Sequence, residues 1–375
     1  MPQGEPFWNP YRMVPVRQGV SRSSPITDER FKGQSGRIQC RLENLTPLFV
    51  GKNRLSPSQF FMSDGRCVIP GSSLKGALRS LAEIVGGGCF STNAKGRGDR
   101  YPKVLDDTYK ACDDNRQLCI TCRMFGMMGR GSGARVLKGK VNLGDALMSG
   151  NSIKKSKFEV VLMNHGARHT QFYETPGTGR FDGLCRKMYF HQVRRTDSVP
   201  GIPDNIRKMM QANIQQIEAL LPGHQFDFEM QFTSLDEGEL ELLVYILALE
   251  ENVQTTIKQG QGELHLHGPM RHKIGFAKPL GMGSCRITIR GIQYLSSPRT
   301  RFSSLRGPVD SVLEGTELRQ EIQRRTRSYT QDTSPTMLQL RKMMLWDETD
   351  SRVFEYPDYG WFKNPANSGV KLKAI

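Results

Sequence analysis

The stretch Cys67-Val68-Ile69-Pro70-Gly71-Ser72-Ser73-Leu74-Lys75-Gly76-Ala77-Leu78-Arg79 reads as a short apolar strand or turn entering a helix. Pro70 ends the extended run, and Leu74, Ala77, Leu78, Leu81 and Ile84 then recur at helical spacing until glycines 86–88 stop the pattern. Two hydroxyls and two glycines open this helix. Amides at a helix N-terminus attract anions, glycine lets a phosphate approach the backbone, and Lys75 and Arg79 add positive charge. The spacing is not that of a Walker loop. Ser72 or Ser73 acting only as an N-cap accounts for the same residues.

Working outward, residues 37–50 alternate polar and apolar side chains through Ile38, Cys40, Leu42, Leu45 and Leu48, which predicts a half-buried strand. Downstream, residues 89–130 are polar and Gly-rich with several cysteines, an insertion rather than core. Strand-like segments follow at 135–143 and 158–163. Residues 164–183 are too irregular for an element and too long for a tight turn, so a projecting hairpin is expected there. An amphipathic helix is predicted at 206–221, a strand at 225–232, a second helix at 237–250 and a strand at 285–289. This arrangement gives an α+β fold. We expect residues 1–35 to be an N-terminal arm with few core contacts, 36–295 to be the domain, with the insertion at about 86–130 and the hairpin at about 164–195, and 296–375 to be a basic C-terminal extension. That extension carries one helical stretch at 313–325, whose Arg319, Arg324 and Arg325, with Arg327, suit a solvated face as well as a contact.

The chain of 375 residues carries 53 Lys and Arg against 37 Asp and Glu, a formal charge of +16. An excess of this size points to a polyanion, since neutralised phosphates release counterions. The first twenty residues lack the apolar run of a signal peptide and no uninterrupted apolar segment reaches membrane-spanning length, so a cytoplasmic protein is expected.

Cysteines in that compartment stay reduced, and clusters of them point to metal or catalysis. Cys112, Cys119 and Cys122 follow C-x6-C-x2-C, and Cys89 lies upstream in the same polar insertion. Four thiolates suit structural zinc, and an insertion too polar to hold a core needs such a staple. Cys89 is chosen as fourth ligand because no histidine lies near. A redox pair is the rival, although thioredoxin-like motifs open a helix after a strand and this one is not expected to. Cys40, Cys67, Cys185 and Cys285 sit in or beside apolar stretches and read as buried hydrophobes.

Two further segments carry charge among glycines or rings. Residues 272–283, with Lys273 and Lys278, form a Gly-rich basic loop running into a strand, which suits an extended polyanion and equally a tight turn with surface lysines. Residues 164–192 interleave His169, Phe172 and Tyr173 with Arg186 and Lys187, a composition that stacks single-stranded bases, or that builds a small hydrophobic core with a basic rim.

In their order, residues 69–76 with Arg79, Cys119-Ile120-Thr121-Cys122-Arg123-Met124-Phe125-Gly126, and the glycine-rich loop ending at Gly283 resemble the RAMP superfamily, the guide-RNA-binding backbone subunits of type III CRISPR effectors. Residues 44–48, 186–191 and 235–249 are similar to the same family, and 186–191 look most like subtype III-D subunits. The resemblance implies a ferredoxin-like, RRM-related core with a zinc-binding insertion and a thumb-like hairpin. It implies guide RNA and target RNA as partners, with other CRISPR effector subunits and no membrane. It assigns Ser72, Ser73, Lys75 and Arg79 to guide phosphates. Cleaving members carry an aspartate on the loop before the Pro-Gly-Ser-Ser motif, where it assists attack of a ribose hydroxyl with a divalent metal. Here residues 51–62 hold no carboxylate, and Asp64 in a Ser-Asp-Gly turn is the nearby candidate. A non-cleaving subunit is therefore expected, with a metal-dependent endonuclease using Asp64 as the alternative and a free-standing RNA binder as a further class.

Overall fold

In the computed structural model, residues 4–27, 32–51, 59–90, 107–129, 135–162, 170–173, 185–193, 198–259, 262–296, 310–373 and 375 are described. The elements that position the site are β1 (Tyr11–Pro15), β2 (Gln34–Asn44), β3 (Arg66–Ile69), α1 (Gly71–Val85), α2 (Ile120–Phe125), β4 (Val141–Leu143), β5 (Ala146–Met148), β6 (Lys155–Val160) and β7 (Cys185–Tyr189). The second half adds β8 (Gln215–Leu220), β9 (Gln225–Leu235), α3 (Glu237–Ala248), β10 (Val253–Gln259), β11 (Gly262–Gly268), β12 (Ser284–Tyr294), α4 (Gly315–Thr330) and α5 (Pro335–Met344).

Alternation sets the central antiparallel sheet. Ile38, Cys40 and Leu42 of β2 face inward beside Phe226, Phe228 and Met230 of β9, with Cys40 opposite Phe228 and Ile38 opposite Met230. On its other side β2 pairs with β12, which sets Ile289 opposite Cys40. The strands run β12, β2, β9, β5, β3, with β4 also paired to β9. Sequence order in the sheet is therefore scrambled: the last long strand and the second-last both flank the first.

Helices α1 and α3 cover one face of this sheet and pack on each other. A Cβ at Gly71 would sit on the Leu143 carbonyl oxygen, so only glycine lets α1 start this close to β4. The amide of Gly71 donates to Asp145 Oδ1 at 2.8 Å, and neither Ser72 nor Ser73 caps the helix. Leu240 and residues 242–247 of α3 have no exposure at all, so this helix is buried around its circumference. Its outer side meets α4, while α5 packs on α1 and β1 and sends Met337, Leu340, Met343 and Met344 into the same core.

The opposite face of the sheet is open and neutralises itself. Arg41 grips Asp227 at 2.7 Å and holds its carboxyl below the usual range, Arg286 pairs with Glu43, and Arg37 lies 3.8 Å from Glu229. No aromatic ring stands on this face of β2 or β9 among the described residues. A stacking platform of the kind that reads single-stranded bases is not built there.

Several expectations change. The chain after residue 206 forms a helix only over Asp204–Met209 and then enters β8, because Ile217 and Ala219 find a partner strand in β6. The N-terminal segment is not an arm with few core contacts: Trp8 and Val14 are core residues and β1 pairs with β7. Beyond residue 296 the chain supplies core through α5, and Arg325 is buried between Glu321 and Glu237. Among the described residues no helix is long and apolar enough to cross a membrane.

Glu239, wholly buried, closes a capping box with Asp236 and binds both Arg123 at 2.7 Å and Lys140 at 2.9 Å. Glu239→Ala leaves Lys140 buried without its counter-charge and Arg123 with only the longer 3.4 Å ion pair to Asp236. A loss of about 3–5 kcal/mol is expected, read as a lower urea midpoint with an unchanged slope.

Candidate metal centre and nucleic-acid groove

The four cysteines expected to act together are brought together. The Sγ atoms of Cys89, Cys112, Cys119 and Cys122 all lie within 4.8 Å of one another and all four residues are buried. Cys89 and Cys122 sulfurs are 3.6 Å apart, close to the ~3.7 Å edge of a tetrahedron built on a zinc–sulfur bond of about 2.3 Å. N–H groups point at the sulfurs, from Cys89 to Cys119 at 3.5 Å and from Cys119 to Cys112 at 3.3 Å, and the Arg79 guanidinium reaches Cys122 Sγ at 3.7 Å. Donors of this kind stabilise thiolates, so the donor set fits a metal ion held by four sulfurs with no position left for substrate. The Cys119–Cys122 pair does open a short helix, α2, contrary to the expectation from sequence. The segment before it is an isolated bridge from Leu118 to Ser23 and not a strand, and the other two thiols complete a cluster a redox pair lacks.

The insertion is fastened to the body by a second buried carboxylate. Glu83 of α1 pairs with Arg79 at 3.2 Å and with Arg186 of β7 at 2.7 Å, and Arg186 also donates to the Cys89 carbonyl oxygen at 2.8 Å and lies over the Phe90 ring. Arg79 further donates to the Gly126 carbonyl at 3.0 Å. Both arginines, expected from sequence to contact RNA, are thus turned toward the cysteine cluster.

Three segments far apart in the chain converge on a groove of about 640 Å³. Its walls are Ser73, Gly76 and Ser80 on one flank of α1, Lys187 and Tyr189 on β7, and Lys273, Gly275 and Lys278 on the glycine-rich loop. No carboxylate is among the described residues that line it. The alternation of β7 explains the division of labour, since Arg186 faces the metal centre while Lys187, next in sequence, lies 3.7 Å from the Tyr11 ring centroid on the groove side.

The ammonium of Lys273 is fixed by the Phe190 carbonyl at 2.9 Å, with the Gly281 carbonyl and Ser284 Oγ at 3.4 Å. Loss of water around it pushes its pKa down to about 7, and the same cause lowers Lys278. Ser284 is itself held by His191 Nδ1 at 2.8 Å, and the other ring nitrogen of His191 meets the Arg271 carbonyl oxygen at 3.0 Å, so this buried imidazole orients the lysine's surroundings. A Cβ at Gly283 would overlap the Ile274 carbonyl, and its φ of +78° favours glycine, which fixes the loop's exit.

The remaining candidates scatter. Ser72 is exposed, and Lys75 is half-buried with its pKa lowered by burial and by Arg79. Phe172 is buried between Phe7 and Trp361, and Tyr173 stacks near Tyr11, so this part of the ring-rich segment is the small hydrophobic core and not a free stacking surface. His169 lies outside the described residues. Asp64 is exposed with φ 48°, followed by Gly65 at φ 73°, the two positive-φ positions of a tight hairpin turn between residues 62–63 and β3. The helix amides expected to cradle phosphate are largely used internally, Gly71 by Asp145 and Ser73 by the Pro70 carbonyl. Sequence reading missed Tyr11 and the Phe49–Gly51 segment, whose only signal was an unremarkable apolar run.

A comparison with curated proteins finds no match. A protein-family model described as RAMPs, the RAMP superfamily, matches residues 41–286, which take in β2 through the start of β12 together with the cysteine cluster and every wall of the groove except Met344. The chain belongs to the RAMP superfamily.

Proposed function

We propose that this chain is a guide-RNA-binding backbone subunit of a type III CRISPR effector complex, of the subtype III-D kind, working in the cytoplasm and not itself cutting RNA. Membership of the RAMP superfamily suggests a CRISPR-associated RNA-binding subunit. The observation that carries the finer reading is the groove: lysines from two segments and a hydroxyl-bearing helix flank meet in a channel whose described lining holds no acid. Such a channel suits a phosphate backbone, read by charge and not by base. The long strands together with β4 and β5 supply the order fourth, first, third, second, with a helix after the first and after the third, which supports a ferredoxin-like core. Zinc is the metal that the four-sulfur donor set favours, in a structural role. The cutting alternative rests on Asp64, whose place in a hairpin turn outside the groove lining accounts for it without catalysis.

Expressed with its genomic neighbours, the chain should co-purify with RNA that survives nuclease, and sequencing should return repeat-derived guides. Random cellular RNA, or none, would sink the reading. In that assembly Lys278→Ala should lower guide retention and reduce the slope of log affinity against log salt by about one.

A pH dependence follows from Lys273. Its ammonium titrates near 7 in the free groove, and a bound phosphate favours the charged form, so binding takes up a proton. Affinity should therefore fall as pH rises from 6 to 8.5. Lys187 and Lys278, both lowered by burial, act in the same direction. Lys273→Arg, charged throughout, should make the profile shallower, leaving the share of Lys187 and Lys278, and an unchanged profile in that variant would remove Lys273 from the contact.

Metal analysis of the purified chain should find zinc at one ion per chain, and Cys122→Ser should lose it together with protease resistance of the insertion. A metal-free chain with full resistance would count against the site.

A further inference from the structure

Next to the lysine groove lies a second cleft of about 630 Å³, which the two share Lys187, Tyr189, Gly275, Phe276 and Lys278 as a common wall. Its far side is built by Pro200, Gly201 and Ile206 and by Tyr356 and Pro357 near the C-terminal end. The two hollows differ in chemistry. The described lining of the groove has lysines and no acid, whereas the cleft offers the rings of Phe276, Tyr189 and Tyr356 together with three carboxylates, Glu159, Glu355 and Asp358. Glu159 accepts from Arg207 at 2.5 Å, and Asp358 caps a short helix through the Trp361 amide at 2.8 Å. The acids lie away from the shared wall of Lys187 and Lys278, so an anion is drawn to that wall. A flat, uncharged ring is suited to the cleft.

A ligand that satisfies both hollows carries a phosphate and a flat ring a few bonds apart, which is a nucleotide. We propose that the cleft receives one unstacked nucleobase of the strand whose phosphates lie along the groove, its phosphate held at the wall by Lys187 and Lys278. This rests on the groove being the RNA site. The site therefore grips one nucleotide by its base as well as its charge, and the ring contributes affinity that does not depend on salt.

Gly201 makes the test clean. It is exposed and lines the cleft, and a Cβ there would meet nothing within 4 Å, so Gly201→Trp adds a bulky ring at the cleft wall without a backbone clash, with Gly201→Ala as its control. The full chain is titrated with a labelled oligoriboadenylate and with an abasic ribose-phosphate oligomer of equal length. Expected is a loss of about tenfold for the adenylate in Gly201→Trp, none in Gly201→Ala, and no change for the abasic oligomer. Equal affinity of the unaltered chain for the two oligomers, or no loss in Gly201→Trp, would falsify the base cleft while leaving the groove standing. AMP binding as tightly as the oligomer would overturn the strand assignment in favour of a free nucleotide. Retention of both oligomers by the Lys187→Ala, Lys278→Ala double variant would instead count against the groove itself.

Discussion

Two carboxylates with almost no exposure, Glu83 at 6% and Glu239 at 0%, are the constraint on which the rest of the molecule depends. Each takes two cations from different parts of the chain: Glu83 joins α1 to β7, and Glu239 joins α3 to α2 and to the approach to β4. A polar insertion of this kind cannot hold itself against the body by apolar burial. Buried ion pairs supply direction where a hydrophobic contact would supply only area. The cysteine cluster is thus fixed from two sides, by Arg79 and Arg186 through Glu83 and by Arg123 through Glu239. Because Arg186 is turned inward by Glu83, strand alternation turns Lys187 outward, and the groove inherits its orientation from a salt bridge on the other side of the strand.

The same logic redistributes the charge. A net +16 suggests a uniformly basic surface, but many arginines are spent inside: Arg271 on Glu251, Arg341 on Glu250, Arg352 on Asp350, Arg325 on Glu321 and Glu237. The open sheet face is likewise neutralised by cross-strand pairs. Arginine suits those places because its planar fork satisfies a carboxylate from two nitrogens at little cost in order. What faces the groove is lysine, whose compact ammonium can change its protonation state when it is desolvated. Apart from Lys140 on Glu239, the buried ion pairs named here use arginine while the groove is lined by lysine, a division that total charge conceals.

Much of this was legible in the sequence where a pattern has a single physical reading. Alternation along residues 37–44 and 225–232 admits only a half-buried strand, and a C-x2-C pair inside a segment too polar for a core calls for a metal. The spacing of Ile206, Met210, Ile214, Ile217 and Leu221 fits a helix as well as it fits the turn and strand that form, and pairing with β6 decides between them. Arg79 is expected at a phosphate and Arg186 at RNA because sequence shows a charge but not its partner. The one buried glutamate that claims both, Glu83, lies 4 and 103 residues away from them. The C-terminal segment misled for a similar reason: its composition is basic overall, while the methionines and leucine of α5 that enter the core are a minority of its residues.

That segment is also why the helix α3 can be apolar on every side. A helix with no polar stripe needs cover all round, and a sheet supplies only one side, so its sequence already demands a second layer. Residues after β12 provide it through α4, with α5 extending the same core, and the chain then continues past Phe354 and Tyr356 to pack Trp361 against Phe7 and Phe172. In doing so it closes the cleft beside the groove, with Tyr356 meeting Tyr11, a ring that also carries Lys187. Both termini thus converge on the lysine wall. The segment that adds to the core is continuous in the chain with the one that walls the cleft, so core and cleft are built from the same C-terminal run of residues.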